Sequence, residues 1–310
     1  MKCDKLNVLY SSDDNYAQHM AVSIYSLLTH NAMFASIDFY IIDNHISEAN
    51  KERLKKMIGA FSNAAVQFIP FQSWKDKLHL NLKWDISLSS YARLFVAEML
   101  PESVERVLYV DCDMIICDNL LELWNTSLEG RVLGAVQDSV GEQTKSAVGM
   151  KAEQKYFNAG LLLIHLKQWR KQKMGQKCLD FIDDHGGQVI HHDQGVLNGL
   201  LKGNFICLPL QYNLMTIHYM FNPKQIIRYY GEKAAFYSEK EIKAAKANPV
   251  ILHYTPSFTS RPWCKNCKHP LKKYYWDYLA CTPWAGSKPQ ASKDSWYVRV
   301  MNWKYRLFKG

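Results

Sequence analysis

Short apolar segments alternate with amphipathic segments along the first 110 residues, and this alternation limits the possible folds more than any other feature of the sequence. Apolar runs predict buried strands at 6–10, 37–42, 66–69 and 104–110. Apolar residues at helical spacing predict helices between them, at 16–30, 47–61 and 87–100. Strands that alternate with helices are typical of an α/β fold with a parallel, doubly wound sheet. In such a sheet, ligands bind beyond the carboxyl ends of the strands.

The pattern is less regular after residue 130, where strands are predicted at 132–136, 160–164 and 250–254 and helices at 166–184 and 193–201. Residues 1–260 carry 27 basic and 27 acidic side chains, whereas residues 261–310 carry 11 basic and 2 acidic ones. The whole net charge of +9 therefore lies at the C-terminal end. We expect one α/β domain over residues 1–260 and a basic, aromatic extension over residues 261–310. A basic surface over the whole chain, as in many nucleic-acid-binding proteins, is not indicated.

Several classes of protein are excluded or disfavoured by what the sequence lacks. No stretch reaches the roughly 20 apolar residues that a transmembrane helix needs. The first ten residues have no apolar segment typical of a signal peptide, and the eight cysteines are irregularly spaced, so we expect reduced thiols and a cytoplasmic protein. There is neither a Gly-x-Gly-x-x-Gly motif after the first strand nor a Walker loop, which argues against a dinucleotide enzyme or a P-loop kinase.

Asp111 and Asp113 directly follow the predicted strand at 104–110. Because side chains alternate along an extended backbone, both carboxylates face the same way. Two such carboxylates are suited to Mg²⁺ or Mn²⁺, which substrate phosphates commonly complete. An Asp-x-Asp triplet is expected about once by chance in a chain of this composition, so two capping aspartates remain an equally good interpretation.

Three further positions are candidates for chemistry, each with a structural alternative. His253 ends an apolar strand and could add a nitrogen ligand to the two aspartates, or serve as a hydrogen-bonded structural histidine. Asp193 and Gln194 open a predicted helix, where a carboxylate could simply cap the helix. Asn158 precedes an apolar run and, on pattern alone, belongs to a turn.

Cys264, Cys267 and His269 suggest a zinc site, but no second ligand pair lies at zinc-finger spacing. Unliganded thiols are therefore the favoured interpretation of this segment.

Six fragments in a fixed order resemble glycosyltransferase family 8, the retaining transferases that include bacterial lipooligosaccharide galactosyl- and glucosyltransferases and the glycogenins. The resemblance covers most of residues 5–284. Each fragment is weak alone, and the order of all six makes the resemblance specific. The fragments are Asn-Val-Leu-Tyr-Ser-Ser-Asp-Asp-Asn-Tyr at 7–16, Ser-Tyr-Ala-Arg-Leu at 90–94, Leu-Tyr-Val-Asp-Cys-Asp at 108–113, Tyr-Phe-Asn-Ala-Gly at 156–160, Asp-Gln-Gly-Val-Leu-Asn at 193–198, and His-Tyr-Thr at 253–255 with Arg-Pro-Trp at 261–263.

The resemblance implies a GT-A fold, a UDP-glucose or UDP-galactose donor and a Mn²⁺ ion, with Mg²⁺ as an alternative. By position, Asp111, Asp113 and His253 would hold the metal. Gln194 matches the residue beneath the anomeric carbon of the sugar, and Asp193 would bind sugar hydroxyls. The other implied donor contacts are Ser11, Asp13, Asn15, Tyr16, Arg93, Asp111, Cys112, Asp138, Asn158 and Arg261.

The segment after His253 departs from the family pattern. The family usually has glycine three residues after this histidine and a Lys-Pro-Trp motif soon afterwards. This chain has Pro256 and, after a longer segment, Arg261. Arginine can hold a phosphate with two parallel hydrogen bonds where lysine offers a point charge.

The resemblance also implies transfer with retention of configuration. An amide oxygen is a poor nucleophile compared with a carboxylate. We therefore expect attack on the face that the leaving group vacates, with Gln194 stabilising the positive charge that develops on the sugar.

The C-terminal extension has two interpretations. Trp296, Val300, Trp303 and Leu307 share one helical stripe flanked by Arg299 and Arg306, which is typical of a helix at an anionic membrane surface. The same stripe could pack on the domain. Because many bacterial family members act on lipid-linked acceptors, we expect residues 285–310 to associate peripherally with the inner face of the membrane.

The leading hypothesis is a transferase that extends lipopolysaccharide or another cell-surface glycan. A glycogenin-like, self-glucosylating primer and a catalytically inactive glycan- or nucleotide-binding module are the alternatives. Nucleic-acid binding is disfavoured because the body contains no recognition fold.

Overall fold

The computed structural model describes residues 3–72, 88–256, 258–291 and Val300. Its main sheet is built from seven strands: β1 (Cys3–Ser12), β2 (Phe34–Asp43), β3 (Ala64–Pro70), β4 (Arg106–Val110), β6 (Leu133–Asp138), β7 (Tyr156–His165) and β8 (Ile206–Cys207). The strand order is β3-β2-β1-β4-β7-β6-β8. Neighbouring strands are parallel except at β7, which runs antiparallel to both β4 and β6. The predicted parallel sheet is thus mostly parallel, with one reversed strand.

A second sheet of three short strands lies outside the main one. It consists of β5 (Met114–Ile116), β9 (Leu214–Met215) and β10 (Ile251–His253), in the order β5-β10-β9. β10 pairs antiparallel with β5 and parallel with β9. The predicted strand at 250–254 is present, but it belongs to this small sheet. Since β5 begins just after the Asp-x-Asp segment, the pairing brings the end of β10 next to it.

Helices connect the strands and cover the sheet. They are α1 (Ala17–His30), α2 (Glu48–Gly59), α3 (Val96–Met99), α4 (Leu121–Trp124), α5 (Glu142–Ala147), α6 (Leu166–Lys171), α7 (Met174–Asp184), α8 (His192–Leu201), α9 (Thr216–Met220), α10 (Pro223–Tyr230), α11 (Glu239–Ala247) and α12 (Lys272–Leu279). Short 3₁₀ segments occupy Asp14–Tyr16, Leu88–Phe95 and Leu210–Tyr212.

Two predicted helices differ from the structure. The single helix predicted at 166–184 is two helices, α6 and α7, because Lys173 between them has a left-handed backbone with φ 51°. The helix predicted at 87–100 is α-helical only in α3, and the part before it is the 3₁₀ segment Leu88–Phe95. That segment carries Arg93 toward the end of β4.

Hydrophobic clusters cover both faces of the main sheet. Val8 and Tyr10 of β1 belong to a cluster with helices α1 and α2, whereas Leu9 belongs to a cluster with α3, α6, α7 and α8. Side chains alternate between the two faces of a strand, so both faces of the strand are buried. This explains why the central strands are continuous apolar runs.

Residues after 260 contribute to the first of these clusters. Trp263, Tyr275 and Leu279 are buried there, against α1. The residues 292–310 lie outside the described part of the chain apart from Val300, and so does the predicted stripe of Trp296, Trp303 and Leu307. Among the described residues, no helix is both long and apolar enough to span a bilayer.

Candidate active site

Three possible metal ligands meet where β4 and β10 end. Asp111 and Asp113 follow β4, and His253 is the last residue of β10. One ligand atom from each lies within 4.8 Å of the others. We call these three residues the metal cluster. Within the described residues it is the only such group of three or more His, Cys, Asp or Glu side chains, so the zinc site considered at Cys264, Cys267 and His269 has no support in the geometry.

Arg93 connects the metal cluster to helix α8. Its Nη2 donates to Asp111 Oδ1 at 2.9 Å, and its Nε lies 3.0 Å from Asp193 Oδ2. The guanidinium also lies 4.2 Å from the centre of the Tyr109 ring, and the Tyr109 hydroxyl donates to Asp111 Oδ1 at 2.7 Å. Burial opposes the charge of Arg93, yet the two carboxylates outweigh it and raise the pKa of Arg93. The predicted residues Arg93, Asp111 and Asp193 are thus held as one ionic group.

Asp113 is a buried carboxylate that stays ionised. Its Oδ1 lies 3.2 Å from His253 Nε2, and its Oδ2 accepts a hydrogen bond from Arg261 Nη1. Burial alone would raise the pKa of Asp113, but the charge of Arg261 beside it outweighs burial and lowers it. The negative charge that a cation requires is therefore in place.

Gly160 allows the metal cluster to come together. It lies in β7, and its backbone carbonyl accepts from Asp111 N at 2.8 Å. A Cβ at this position would lie 2.5 Å from His253 Cε1 and 2.9 Å from Asp111 Oδ2. Real Cβ atoms essentially never come this close, so only glycine fits here.

A second group of polar side chains lies beside the metal cluster. Asp138 Oδ2 accepts from Asn158 Nδ2 at 3.1 Å and from Gln194 Nε2 at 3.2 Å. Gln194 Oε1 in turn accepts from Asn158 Nδ2 at 3.3 Å and from Ala159 N at 3.0 Å. We call Asp138, Asn158 and Gln194 the amide cluster. Asp138 ends β6, Asn158 lies near the start of β7, and Gln194 lies in the first turn of α8. Together with the metal cluster they line a cleft of about 490 Å³.

The start of α8 is a tight turn. Both residues that precede Asp193 have left-handed backbones, His191 with φ 58° and His192 with φ 54°. A Cβ on Gly195 would lie 1.9 Å from the carbonyl oxygen of Ile190, so this turn also requires glycine. The turn places Asp193 against Arg93 and Gln194 beside Asp138 and Asn158.

A second cleft, of about 230 Å³, adjoins the metal cluster on the β1 side. Ser11, Asp13, Tyr16, Cys112 and Arg261 are among the residues that line it. The parallel pairing of β1 with β4 explains this, because their carboxyl ends meet at the same edge.

Two of the predicted donor residues at this edge form hydrogen bonds within the protein, and a third lies outside both clefts. Asp13 Oδ1 accepts from Tyr16 N at 3.2 Å and so caps the 3₁₀ segment. The thiol of Cys112 donates to the backbone oxygen of Ser11 at 3.4 Å. Asn15 is exposed and is not among the described residues that line either cleft.

An aromatic group borders the second cleft. Trp263 stacks on His19 with ring centres 3.7 Å apart and meets the edge of Tyr16 at 6.0 Å. Arg261 lies 5.8 Å from the Tyr16 ring and 5.5 Å from the Trp263 ring. Burial, with Arg261 nearby, lowers the pKa of His19 to about 3, so His19 is a neutral ring in the stack. His19 belongs to this aromatic group, and the sequence reasoning missed it.

Sequence reasoning also missed Tyr109 and Asn213. Tyr109 was visible only as part of an apolar strand, although a hydroxyl two residues before a carboxylate on the same side of a strand is a usable signal. Asn213 lies in an irregular segment, and its amide bonds both His253 and Asn158.

Comparison with known proteins identifies the family. The profile of glycosyl transferase family 8 matches residues 7–267. This chain belongs to glycosyl transferase family 8. The chain is 28% identical over 286 residues to General stress protein A of Bacillus subtilis, covering 91% of this chain and 96% of that one. It is 28% identical over 294 residues to a lipopolysaccharide 1,2-glucosyltransferase of Escherichia coli K12, covering 93% and 82%.

A solved galactosyltransferase structure has the same fold. The galactosyltransferase LgtC, crystallised with donor and acceptor sugar analogues, superimposes with a TM-score of 0.71 at 27% identity, covering 90% of this chain and 96% of LgtC. The expected family and GT-A α/β fold are thereby confirmed, and the relatives support glycosyl transfer as the class of reaction.

Proposed function

We propose that this family 8 protein is a retaining, metal-dependent transferase that moves glucose or galactose from a UDP-sugar to a cell-surface glycan. The observation that carries the proposal is that the two clusters line one cleft side by side. The metal cluster offers two carboxylates and an imidazole, and the amide cluster beside it offers hydrogen bonds for a sugar.

The metal cluster fits a divalent cation. If the Nδ1 nitrogen of His253 carries the proton, Nε2 and Asp113 Oδ1 are both acceptors, and they face each other at 3.2 Å. Two acceptors repel at this distance unless a positive charge lies between them. Asp111, Asp113 and His253 would hold Mn²⁺, and the nitrogen ligand favours Mn²⁺ over Mg²⁺. When bound, the ion would stabilise negative charge on the departing diphosphate.

The chain's own residues supply the rest of the donor site. Arg261 lies beside the metal cluster and carries a charge that can hold a phosphate oxygen. Tyr16 offers aromatic surface to a base, with the buried Trp263 packed against it, and Ser11 and Asp13 lie in the same cleft. Arg93 and Asp193 would orient sugar hydroxyls at the junction of the two clefts.

Gln194 is proposed to act without forming a bond to the sugar. Its Oε1 already accepts two hydrogen bonds, from Ala159 N and Asn158 Nδ2. An oxygen with both lone pairs engaged is a still weaker nucleophile than a free amide. This favours attack by the acceptor on the face that the leaving group vacates, with Gln194 and Asp138 stabilising positive charge on the sugar.

The acceptor and location are proposed from the relatives. The Escherichia coli relative is named a lipopolysaccharide 1,2-glucosyltransferase, and LgtC is named a galactosyltransferase. We propose a lipid-linked glycan acceptor, a cytoplasmic protein, and peripheral attachment to an anionic membrane through residues 285–310.

The test measures UDP release from a panel of UDP-sugars, with Mn²⁺, with Mg²⁺ and with excess chelator. UDP-glucose or UDP-galactose should be hydrolysed, and chelator should abolish the reaction. Asp113→Ala should be inactive, whereas Asp118→Ala, an exposed aspartate five residues along, should be unaffected. Full turnover in chelator would refute the metal-dependent proposal. A gain in intact mass after incubation with UDP-glucose would identify a self-glucosylating primer instead.

A further inference from the structure

Two adjacent backbone N–H groups fix the orientation of the side-chain amides in the cleft. Ala159 N donates to Gln194 Oε1, and Gly160 N donates to Asn158 Oδ1 at 3.0 Å. A backbone N–H can only donate, so each contact identifies the oxygen end of the amide. The Nδ2 atom of Asn158 therefore points to Asp138 and Gln194.

Asn213 extends this ordered chain to the metal cluster. Its side chain is fully buried, and its Nδ2 donates to Asn158 Oδ1 at 2.9 Å. Because Asn158 Oδ1 is an acceptor, Asn213 must present its nitrogen to that atom and its oxygen to the other side. On that side, Asn213 Oδ1 lies 2.9 Å from His253 Nδ1. His253 must therefore carry a proton on Nδ1.

With Nδ1 as the donor to Asn213, Nε2 is the ring nitrogen left to bind a metal, and it faces Asp113. A histidine that binds a metal through Nε2 needs this tautomer, and its partner at Nδ1 fixes the ring orientation. We propose that Asn213 is a positioning residue: it holds His253 in the metal-binding tautomer and, through Asn158, ties the metal cluster to the amide cluster. This inference rests on the proposed metal-dependent function.

Two substitutions separate the roles of the Asn213 amide. Asn213→Leu removes both hydrogen bonds at similar volume and should weaken Mn²⁺ binding about 10- to 100-fold, the usual effect of losing such a partner. Asn213→Asp keeps an acceptor for His253 Nδ1 but faces Asn158 Oδ1 with a second acceptor. It should bind Mn²⁺ much as the wild type does, while its kcat at saturating Mn²⁺ falls.

Calorimetric titration of the full chain with Mn²⁺ in the presence of UDP measures the affinity. Asn31→Leu is the matched control, because Asn31 is also fully buried and its amide bonds Leu27 O and Leu120 N outside the cleft. The control should lose stability and keep Mn²⁺ affinity. If the wild type binds no Mn²⁺, the metal-dependent function fails. If the wild type binds Mn²⁺ and Asn213→Leu binds it equally well, the role of Asn213 is overturned and the function stands.

The wild-type chain offers a test that needs no folded variant at position 213. Long-range ¹⁵N correlations of histidine-labelled protein, with His253 assigned by loss of its signals in His253→Gln, report which ring nitrogens carry protons. A proton on Nδ1 of His253 is expected. An Nδ1 atom without a proton would overturn the inference. This result comes from the wild-type chain, so it holds even if Asn213→Leu does not fold.

Discussion

Gly160→Ala is a perturbation whose effect can be worked out from distances. The added Cβ would lie 2.5 Å from His253 Cε1 and 2.9 Å from Asp111 Oδ2, whereas ordinary contacts begin at 3.4 Å. Relieving the overlap moves the imidazole by about 0.9 Å and the carboxylate by about 0.5 Å, beyond the ~0.2 Å tolerance of metal–ligand distances. We expect Mn²⁺ affinity to fall at least about tenfold, which corresponds to about 1.4 kcal/mol of binding free energy. Overpacking should also lower the free energy of unfolding by about 1–3 kcal/mol.

Gly134→Ala is the matched control for this prediction. Gly134 lies in β6 of the same sheet, and its added Cβ would crowd Leu128 Cδ2 at 3.1 Å and Leu208 Cδ2 at 3.3 Å. It should cost stability in denaturant titration and leave Mn²⁺ binding unchanged in calorimetric titration. Wild-type Mn²⁺ affinity in Gly160→Ala would show that the ligands adapt without cost and would refute the reasoning.

Three further predictions concern other parts of the molecule. Gln194→Ala should lower kcat far more than it raises the donor KM, because its proposed contact matters mainly in the transition state; a raised KM at unchanged kcat would make Gln194 a binding residue. Lys145→Met should lower the free energy of unfolding by about 3–5 kcal/mol in denaturant titration, because it leaves the buried Glu232 carboxylate without its ion-pair partner. Adding Glu232→Gln should recover part of this loss. Strictly additive losses in the double variant would contradict the prediction. Truncation after Ala291 should leave UDP-sugar hydrolysis intact. It should abolish two other activities, the salt-sensitive binding to anionic vesicles and the transfer to a lipid-linked acceptor. Loss of hydrolysis would mean that the removed segment belongs to the fold.

The sequence predicted those parts of the fold in which periodicity and burial agree. The strand at 104–110 was predicted because it ends in the unbroken apolar run 107–110, and β4 lies within it. The direction of β7 could not be predicted, because side chains alternate with the same period in parallel and antiparallel strands. The break at Lys173 carries neither glycine nor proline, and so the sequence gives no signal for it.

Only part of the candidate site could be predicted from the sequence. The pair Asp111 and Asp113 follows from a strand end and its alternation, whereas the strand-end position of His253 left a metal ligand and a structural histidine both open, and the family resemblance favoured the ligand. Its strand, β10, is three residues long, too short for a periodic pattern. Asn213 lies 40 residues from His253 and 55 from Asn158 in sequence, so only the folded chain brings its partners together.

The left-handed pair His191 and His192 has a consequence for attempts to engineer this protein. Each such residue costs roughly 1–2 kcal/mol relative to a right-handed backbone, and the surrounding structure must supply that energy. Replacing either histidine by glycine would relax the turn, so selection for heat resistance alone would favour it. The same relaxation would make the positions of Asp193 and Gln194 in the cleft less well defined, because the turn holds both residues in place. In directed evolution, thermostability and turnover are therefore expected to conflict at this turn, and libraries aimed at robustness should leave both positions fixed.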